Sequence, residues 1–293
     1  MDIIEINNLT KTYGKARGIS NVKFSLKQGE IFGFIGPNGA GKSTTIRTLL
    51  GFLKPTSGSA SIFGMDIVKD TQKIKQRIGY MPSEVNYYSN MKTQDVLKYS
   101  ASFYGKDCKE RTQELAEIFQ VDMKKKMKSL SLGNKKKVAI LQALIHEPEL
   151  LILDEPTNGL DPLMQSTFFE VLKKEQVRGV TIFFSSHVLS EVQKVCDRVA
   201  IIKEGKILNV DRIETLRNNN YKRIKLHTES TENITLSNVQ NVTREGELVE
   251  FLYNGDMNEL VSYLSKIEMN NLSVEELSLE EIFMHYYEKG GVE

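Results

Sequence analysis

One nine-residue segment restricts the fold and the chemistry of this chain more than any other feature. It reads Gly36-Pro37-Asn38-Gly39-Ala40-Gly41-Lys42-Ser43-Thr44. Two glycines separated by four residues and followed by Lys and Ser form the P-loop pattern. Glycines let the backbone turn tightly and approach a phosphate without a Cβ in the way, and the amides of such a turn bind anionic oxygens. All nine residues are therefore predicted to form a phosphate-binding loop.

Two side chains of this loop have separate predicted tasks. Lys42 brings a positive charge to the β- and γ-phosphates of a nucleotide, and the Ser43 hydroxyl is a hard oxygen ligand for Mg²⁺. The alternative is a glycine-rich turn that contains a lysine by chance. The context favours a P-loop, because the segment follows the apolar strand Ile31–Ile35 and opens a helical pattern over residues 42–52. The N-terminus of such a helix attracts anions.

Apolar runs of strand length recur along the chain and alternate with helical patterns. The runs are Ile31–Ile35, Leu150–Asp154, Thr181–Ser185 and Val199–Lys203. Strand–helix alternation of this kind predicts an α/β fold with a parallel sheet covered on both faces. The polar–apolar alternation of Val22–Lys27 indicates a half-exposed antiparallel sheet near the N-terminus. Residues from about 85 to 147 are mostly helical in pattern and predict a helical subdomain.

The composition changes near residue 216, where the polar run Asn218–Asn220 predicts a linker. The prediction is therefore a nucleotide-binding domain over residues 1–216 and a small C-terminal α+β domain over residues 221–293. Within the second domain, strands are predicted at Arg223–His227 and Leu248–Tyr253, and helices at Asn258–Ile267 and Leu279–Tyr287.

The charge balance and the lengths of the apolar runs exclude some partners. Lys and Arg number 39 and Asp and Glu number 38, so the net charge is +1 and carries no global signal for nucleic acid. The apolar runs are far shorter than the roughly 20 residues of a membrane-spanning helix. Any link to a membrane is therefore expected to pass through another chain.

The strand Leu150–Leu153 ends in two acidic residues, Asp154 and Glu155. The carboxyl ends of parallel strands meet at one edge of a sheet, which would place these carboxylates beside the P-loop. Asp154 can hold Mg²⁺ through a water, and Glu155 can accept a proton from the water that attacks the γ-phosphate. The alternative is a solvated strand end without a catalytic task.

The residues that follow narrow the choice. Pro156–Pro162 come directly after the acidic pair, and Ser185-Ser186-His187 close a later strand. With these motifs in this order, the chain resembles the ATP-binding-cassette (ABC) ATPases over about residues 1–215. The resemblance implies a P-loop NTPase (RecA-like) fold with ATP and Mg²⁺ as cofactors. It also implies that Asp154 belongs to the Walker B motif, that Glu155 is the catalytic base and that His187 contacts the γ-phosphate.

The resemblance extends to residues outside the P-loop. It implies that Tyr13 stacks on adenine, although Tyr13 could instead be a core residue at a strand end. It implies that Asp161 faces a partner subunit, and that Ser131 and Gly133 contact the ATP bound by that partner.

Three positions depart from the family pattern, and one of them is Asn134, which replaces a glutamine of the family's signature sequence. Leu132 replaces a glycine of the family's signature sequence, and because leucine resists positive φ, we expect a different loop shape or strain there. Ser83, followed by Glu84, stands in place of the family's Q-loop glutamine. Ser83 is expected to reach Mg²⁺ through a water, and the alternative is that Glu84 reaches the ion. These departures predict a slow ATPase.

Two lysine clusters, Lys124–Lys126 and Lys135–Lys137, are typical of a solvated helical face. The alternative is a contact with anionic lipid headgroups or with an acidic loop of a membrane subunit.

The partners implied by the resemblance are a second ATPase subunit, expected to be a copy of this chain, and an integral membrane permease, with no nucleic acid. The chain would then lie at the cytoplasmic face of the cell membrane. The segment Ser278–Phe283 resembles the C-terminal helix of export-type members, which suggests a peptide or a drug as substrate. The alternatives are a non-transport ATPase of the same family, a cassette that binds ATP for regulation without rapid turnover, and an importer subunit.

Overall fold

The computed structural model of the chain describes residues 1–14, 16–217, 222–230, 234–276 and 281. The chain divides into two compact units, Met1–Ile213 and Glu214–Glu293. Each unit has its own sheet or sheets and its own hydrophobic core, and each is described separately below.

The first unit alternates strands and helices along most of its length. Its elements are β1 (Asp2–Tyr13), β2 (Ala16–Lys27), β3 (Ile31–Ile35), α1 (Lys42–Leu49), β4 (Ser57–Ile62), β5 (Met65–Asp66), α2 (Thr71–Lys75), β6 (Ile78–Met81), α3 (Thr93–Ala101), α4 (Lys109–Ile118), a 3₁₀ turn (Met127–Ser129), α5 (Leu132–Leu144), β7 (Leu150–Asp154), α6 (Pro162–Val177), β8 (Thr181–Ser186), α7 (Leu189–Val195), β9 (Arg198–Lys203) and β10 (Lys206–Arg212). The helix α8 (Ile213–Arg217) follows at the boundary between the units.

The central sheet has six strands in the order β10-β9-β3-β8-β7-β6. All neighbours pair in parallel except β9 and β10, which form an antiparallel hairpin. Every residue of β3, β7 and β8 is buried, as the apolar runs predicted. Because these three strands are adjacent, their carboxyl ends bring the P-loop, Asp154 and Ser186 to one edge of the sheet, and the register pairs Asp154 with Ser185.

The antiparallel sheet predicted near the N-terminus is present, with the strand order β2-β1-β4-β5. Its apolar residues point inward, and together with residues of the central sheet they form one core. The Phe24 and Phe32 rings stack with 5.3 Å between their centroids, and Phe34 lies at the same distance from Phe183. The antiparallel sheet therefore packs against the central sheet over the P-loop strand β3.

The predicted helical region consists of α3, α4 and α5, and α5 packs against both other helices and against β6. Apolar side chains along α5, including Val138 and Leu141, are almost fully buried, which fixes the rotation of this helix about its axis. None of the helices in the described parts of the chain is both long and apolar enough to cross a membrane.

Within the described residues, the second unit contains a four-stranded antiparallel sheet and the helix Met257–Leu264. Its elements are β11 (Lys222–His227), β12 (Val239–Glu245), β13 (Leu248–Tyr253), α9 (Met257–Leu264) and β14 (Asn271–Glu276), with the strand order β12-β13-β11-β14. Side chains from β11, β13 and α9 form its core. The structure confirms the α+β class of this unit. Of the predicted helix Leu279–Tyr287, and of the segment Ser278–Phe283, only Glu281 belongs to the described residues.

Candidate functional site

The P-loop connects β3 to α1, and two of its glycines are required by geometry. A Cβ on Gly36 would lie 2.3 Å from the carbonyl oxygen of Ile202, so the loop passes too close to β9 for any side chain. Gly41 has a φ of 111° and directly precedes α1, a conformation that other residues rarely adopt. The first amides of α1 have no acceptor within the helix and point toward the loop. The backbone from Gly36 to Thr44 therefore forms a cradle for an anion.

The Lys42 ammonium group lies inside this cradle. Its Nζ donates hydrogen bonds to the carbonyl oxygens of Gly36, at 2.6 Å, and Pro37, at 3.1 Å. The same Nζ lies 3.0 Å from Oε1 of Glu155, and both side chains are more than nine-tenths buried. A buried ion pair with these extra hydrogen bonds holds the positive charge of Lys42 at one defined place beside the loop.

Glu155 joins Lys42 to His187. Its Oε2 lies 2.6 Å from His187 Nδ1 and accepts a longer hydrogen bond, 3.4 Å, from Asn158 Nδ2. If the carboxylate is ionised, Nδ1 is the donor of the short contact. The Glu155 backbone has a φ of 50°, in the left-handed region. A non-glycine residue held there by its surroundings is a frequent feature of functional sites.

Asp154 ends β7 with a carboxylate that is only partly satisfied. Its Oδ1 accepts a 2.7 Å hydrogen bond from Ser185 Oγ. Its Oδ2 is buried and, within the described residues, has no hydrogen-bond partner. A buried carboxylate oxygen without a donor costs free energy unless a cation or its hydration water compensates it.

This single carboxylate fits the requirements of Mg²⁺. Magnesium is usually bound by one or two carboxylates, together with waters and substrate phosphates, rather than by a cage of protein ligands. The described part of the chain contains no group of three or more His, Cys, Asp or Glu side chains arranged to hold a metal. Ser43, in the first turn of α1, is half-buried.

Ser131 and Gly133 lie at the start of α5. Ser131 is the N-cap residue, and its Oγ accepts a 3.3 Å hydrogen bond from the amide of Asn134. Leu132 is the first residue of the helix and is not among the described residues with positive φ, so the strain considered for this position is absent. A Cβ on Gly133 would lie 2.8 Å from the carbonyl oxygen of Gly159, which explains the glycine.

Asp161 follows Gly159 closely and is the N-cap residue of α6. Its Oδ1 accepts a 2.9 Å hydrogen bond from the amide of Met164, a structural task that any capping aspartate performs. The residue is exposed, as a contact with a second subunit would require.

Tyr13 and Ser83 occupy the remaining predicted positions. Tyr13 lies at the end of β1 with 41% of its surface exposed, which contradicts the alternative of a core tyrosine. Lys11 Nζ lies 5.5 Å from the centroid of the Tyr13 ring. Ser83 is half-buried, and its carbonyl oxygen accepts a 2.6 Å hydrogen bond from Lys136. Glu84 is exposed.

Three residues at the site were not predicted from the sequence. Ser185 bonds Asp154, Asn158 bonds Glu155, and Lys136 bonds the backbone of both Ser83 and Glu155. The interpretation of Lys135–Lys137 as a wholly solvated face is wrong for Lys136, which is 2% exposed. The sequence does not distinguish Lys136 from its neighbours, because the residues three and four positions after each of the three lysines, within residues 138–141, are all apolar.

Comparisons with known proteins agree with this geometry. The chain matches the ABC transporter family over residues 19–158. It is 43% identical to the bacitracin transport ATP-binding protein BcrA of Bacillus licheniformis, over 76% of this chain and 74% of that protein. It is 38% identical to the linearmycin resistance ATP-binding protein LnrL of Bacillus subtilis, over 71% of this chain and 68% of that protein. A solved ATP binding subunit of an ABC transporter superimposes with a TM-score of 0.70 at 29% identity, covering 74% of this chain and 92% of that one.

Proposed function

Because the chain belongs to the ATP-binding subunits of ABC transporters, and is therefore an ATPase, we propose that it hydrolyses MgATP to drive export of a peptide or a drug. In this proposal two copies share each ATP site and work on a separate membrane subunit. The observation that carries the proposal is the Glu155 carboxylate, whose two oxygens contact Lys42 in the P-loop and His187 at the end of β8.

The chemistry requires a positioned water and a stabilised phosphate. Glu155 accepts the proton of the attacking water, and His187, which holds the Glu155 carboxylate through Nδ1, contacts the γ-phosphate. Lys42 and the amides of Gly39–Thr44 stabilise the charge that develops on the transferred phosphoryl group. The Tyr13 ring, half exposed at the end of β1, stacks on adenine.

A metal ion fits beside Asp154 Oδ2, which has no hydrogen-bond partner among the residues that the structure describes. Asp154 Oδ2, the Ser43 hydroxyl and Ser83 would hold Mg²⁺, directly or through water. When bound, the ion supplies positive charge to the β- and γ-phosphates.

A second copy of the chain completes the ATP site. Ser131 and Gly133 lie at a helix start, where a hydroxyl and an amide are available to an anion bound by the partner. Leu132 and Leu163 are 61% and 70% exposed beside this segment and beside Asp161. Exposed leucines at these positions support the proposal that a partner covers this surface. Each copy alone then provides half of a site.

The membrane subunit binds a groove of about 450 Å³ in the first unit. Several aromatic side chains line it, namely Phe52, Tyr80, Tyr87, Tyr88, Tyr99 and Tyr104. Tyr88 and Tyr99 are largely exposed, which suits an apolar segment of another protein. Pro82 also lines the groove, so the bound subunit would lie next to Ser83 and could sense the state of the ATP site. This attachment places the chain at the cytoplasmic face of the membrane.

The names of the relatives support an antimicrobial peptide or drug as the exported molecule, since one is a bacitracin transport protein and another a linearmycin resistance protein. The test is expression of the chain, with its membrane subunit, in a bacterium sensitive to bacitracin. Resistance should rise with the parent chain but not with Glu155→Gln, and purified complex should release phosphate only with Mg²⁺. Equal phosphate release by the parent and Glu155→Gln would contradict the proposed catalytic role. ATPase activity without resistance to any tested peptide or drug would contradict the proposed substrate class.

A further inference from the structure

Lys136 is a buried cation that the proposed reaction does not use. Its side chain extends from α5 and is 2% exposed. Its Nζ donates a 2.6 Å hydrogen bond to the carbonyl oxygen of Ser83 and a 3.4 Å hydrogen bond to that of Glu155. We propose that Lys136 is a positioning residue that fixes the Glu155 carboxylate for hydrolysis and links Glu155 to the Ser83 loop, the segment after β6 that contains Ser83. The proposal rests on the role of Glu155 given above.

Burying an ammonium group is costly, so its neighbours must compensate the charge. Burial lowers the pKa of Lys136, and the charges of Asp154, Glu155 and Glu84 act in the opposite direction. The cation therefore faces the acidic end of β7. Leucine or methionine would fill the same helical position without the free-energy cost of burying a charge. Neither residue could donate a hydrogen bond to the carbonyl group of Ser83 or of Glu155.

The backbone of Glu155 needs support on both sides. Its φ of 50° is unfavourable for a residue with a side chain. Ser185 holds the Glu155 amide through its carbonyl oxygen, at 3.2 Å, and its Oγ, at 3.1 Å. Lys136 holds the Glu155 carbonyl group. The two contacts clamp one residue from opposite sides, and so they determine the direction in which the Glu155 side chain leaves the backbone.

The shorter hydrogen bond of Lys136 reaches a different part of the chain. Ser83 follows Pro82, which lines the aromatic groove proposed for the membrane subunit. Lys136 belongs to the helix that begins next to Ser131. One ammonium group therefore connects the loop beside the groove, the backbone carbonyl group of Glu155 and the helix that begins at the segment proposed to serve the partner's ATP. A movement of the Ser83 loop must either stretch this connection or displace Glu155.

The test compares Lys136→Met, which keeps the length of the side chain without a donor, with Lys136→Arg, which restores a buried cationic donor. Lys137→Met, in the same cluster and half-buried, is the control. Each variant is purified in complex with the membrane subunit, and kcat, KM for ATP and the Kd for ATP are measured. We expect kcat of Lys136→Met to fall about 10- to 100-fold, as for a misplacement of a catalytic group by a fraction of an ångström. The Kd for ATP should stay within about twofold of the parent value. Lys136→Arg should recover most of the loss, and Lys137→Met should match the parent.

The outcomes separate this proposal from the assignment of Glu155. One outcome would reject the positioning role and leave the proposed function intact. In that outcome the parent complex is active, Glu155→Gln is inactive, and Lys136→Met folds and keeps the kcat of the parent. A Kd for ATP that rises in proportion to the loss of kcat would also overturn it, because it would show a general loss of site structure. If Lys136→Met does not fold, Lys136→Gln decides: reduced kcat with unchanged ATP binding supports the role, and parent-like kcat overturns it.

Discussion

The substitution Ser185→Ala removes one hydroxyl group from the centre of the proposed ATP site. Ser185 Oγ donates a 2.7 Å hydrogen bond to Asp154 Oδ1 and accepts a 3.1 Å hydrogen bond from the Glu155 amide. Alanine would leave Oδ1 without this donor, beside Oδ2, which is already unpaired among the described residues. The Glu155 amide would keep only the Ser185 carbonyl oxygen as an acceptor.

The size of the effect follows from the charge and burial of Asp154. A hydrogen bond to a buried charged group contributes about 1.5–3 kcal/mol to the free energy of unfolding. For a unit of this size, the midpoint of thermal unfolding should fall by about 4–10 °C. If a similar free energy is lost from the arrangement of the two carboxylates in the transition state, kcat should fall about 10- to 100-fold.

The control substitution is Thr181→Val, at the opposite end of the same strand. Thr181 is also buried, and its Oγ1 accepts a 3.0 Å hydrogen bond from the Gly29 amide, far from the carboxylates. Differential scanning calorimetry and a phosphate-release assay with the membrane subunit present measure both variants. Both should be less stable, and only Ser185→Ala should lose activity. Equal kcat values for the two variants would refute the claim that Ser185 arranges the acidic pair.

Two further predictions concern backbone strain and pH. Gly41→Ala should weaken ATP binding about 10- to 100-fold by titration calorimetry, because φ is 111° and the new Cβ would lie 2.8 Å from Ile19 Cγ2; unchanged affinity would contradict this. Burial lowers the pKa of His146 to about 4 from 6.5, so the unfolded state binds the proton first and stability falls as pH falls from 6.5 to 4. The free energy of unfolding, measured by urea titration, should fall by on the order of 2–3 kcal/mol between these pH values because of His146. In His146→Gln this contribution to the pH dependence should be absent.

The features of the site that follow from local sequence were predictable. The glycines of the P-loop reflect a requirement of the backbone itself, at Gly36 for space and at Gly41 for φ. The buried strands β3, β7 and β8 appear in the sequence as uninterrupted apolar runs. Since parallel strands present their carboxyl ends at one edge, the approach of Glu155 to Lys42 and of His187 to Glu155 followed from the order of the motifs.

The features that depend on tertiary packing were not predictable. Three consecutive lysines, Lys135–Lys137, look equivalent in the sequence, and only the packing of α5 on its neighbours turns Lys136 inward. Leu132 could be assigned either strain or a new loop shape, and the choice depended on where α5 begins. The strands β12 and β14 were missed because most of their residues are exposed, and the apolar alternation in β14 is limited to Leu272 and Val274. Their pairing comes from backbone hydrogen bonds, which composition does not encode.

The central claim is that Ser131 and Gly133 of one copy complete the ATP site on the P-loop of another. Sedimentation velocity of Glu155→Gln, with and without saturating MgATP, tests it most directly. We predict a species with twice the mass of a single chain only when MgATP is present. Adding Ser131→Arg to Glu155→Gln should abolish that species while leaving the Kd for ATP of the single chain unchanged. A nucleotide-saturated Glu155→Gln chain that stays at the mass of one copy would contradict the account.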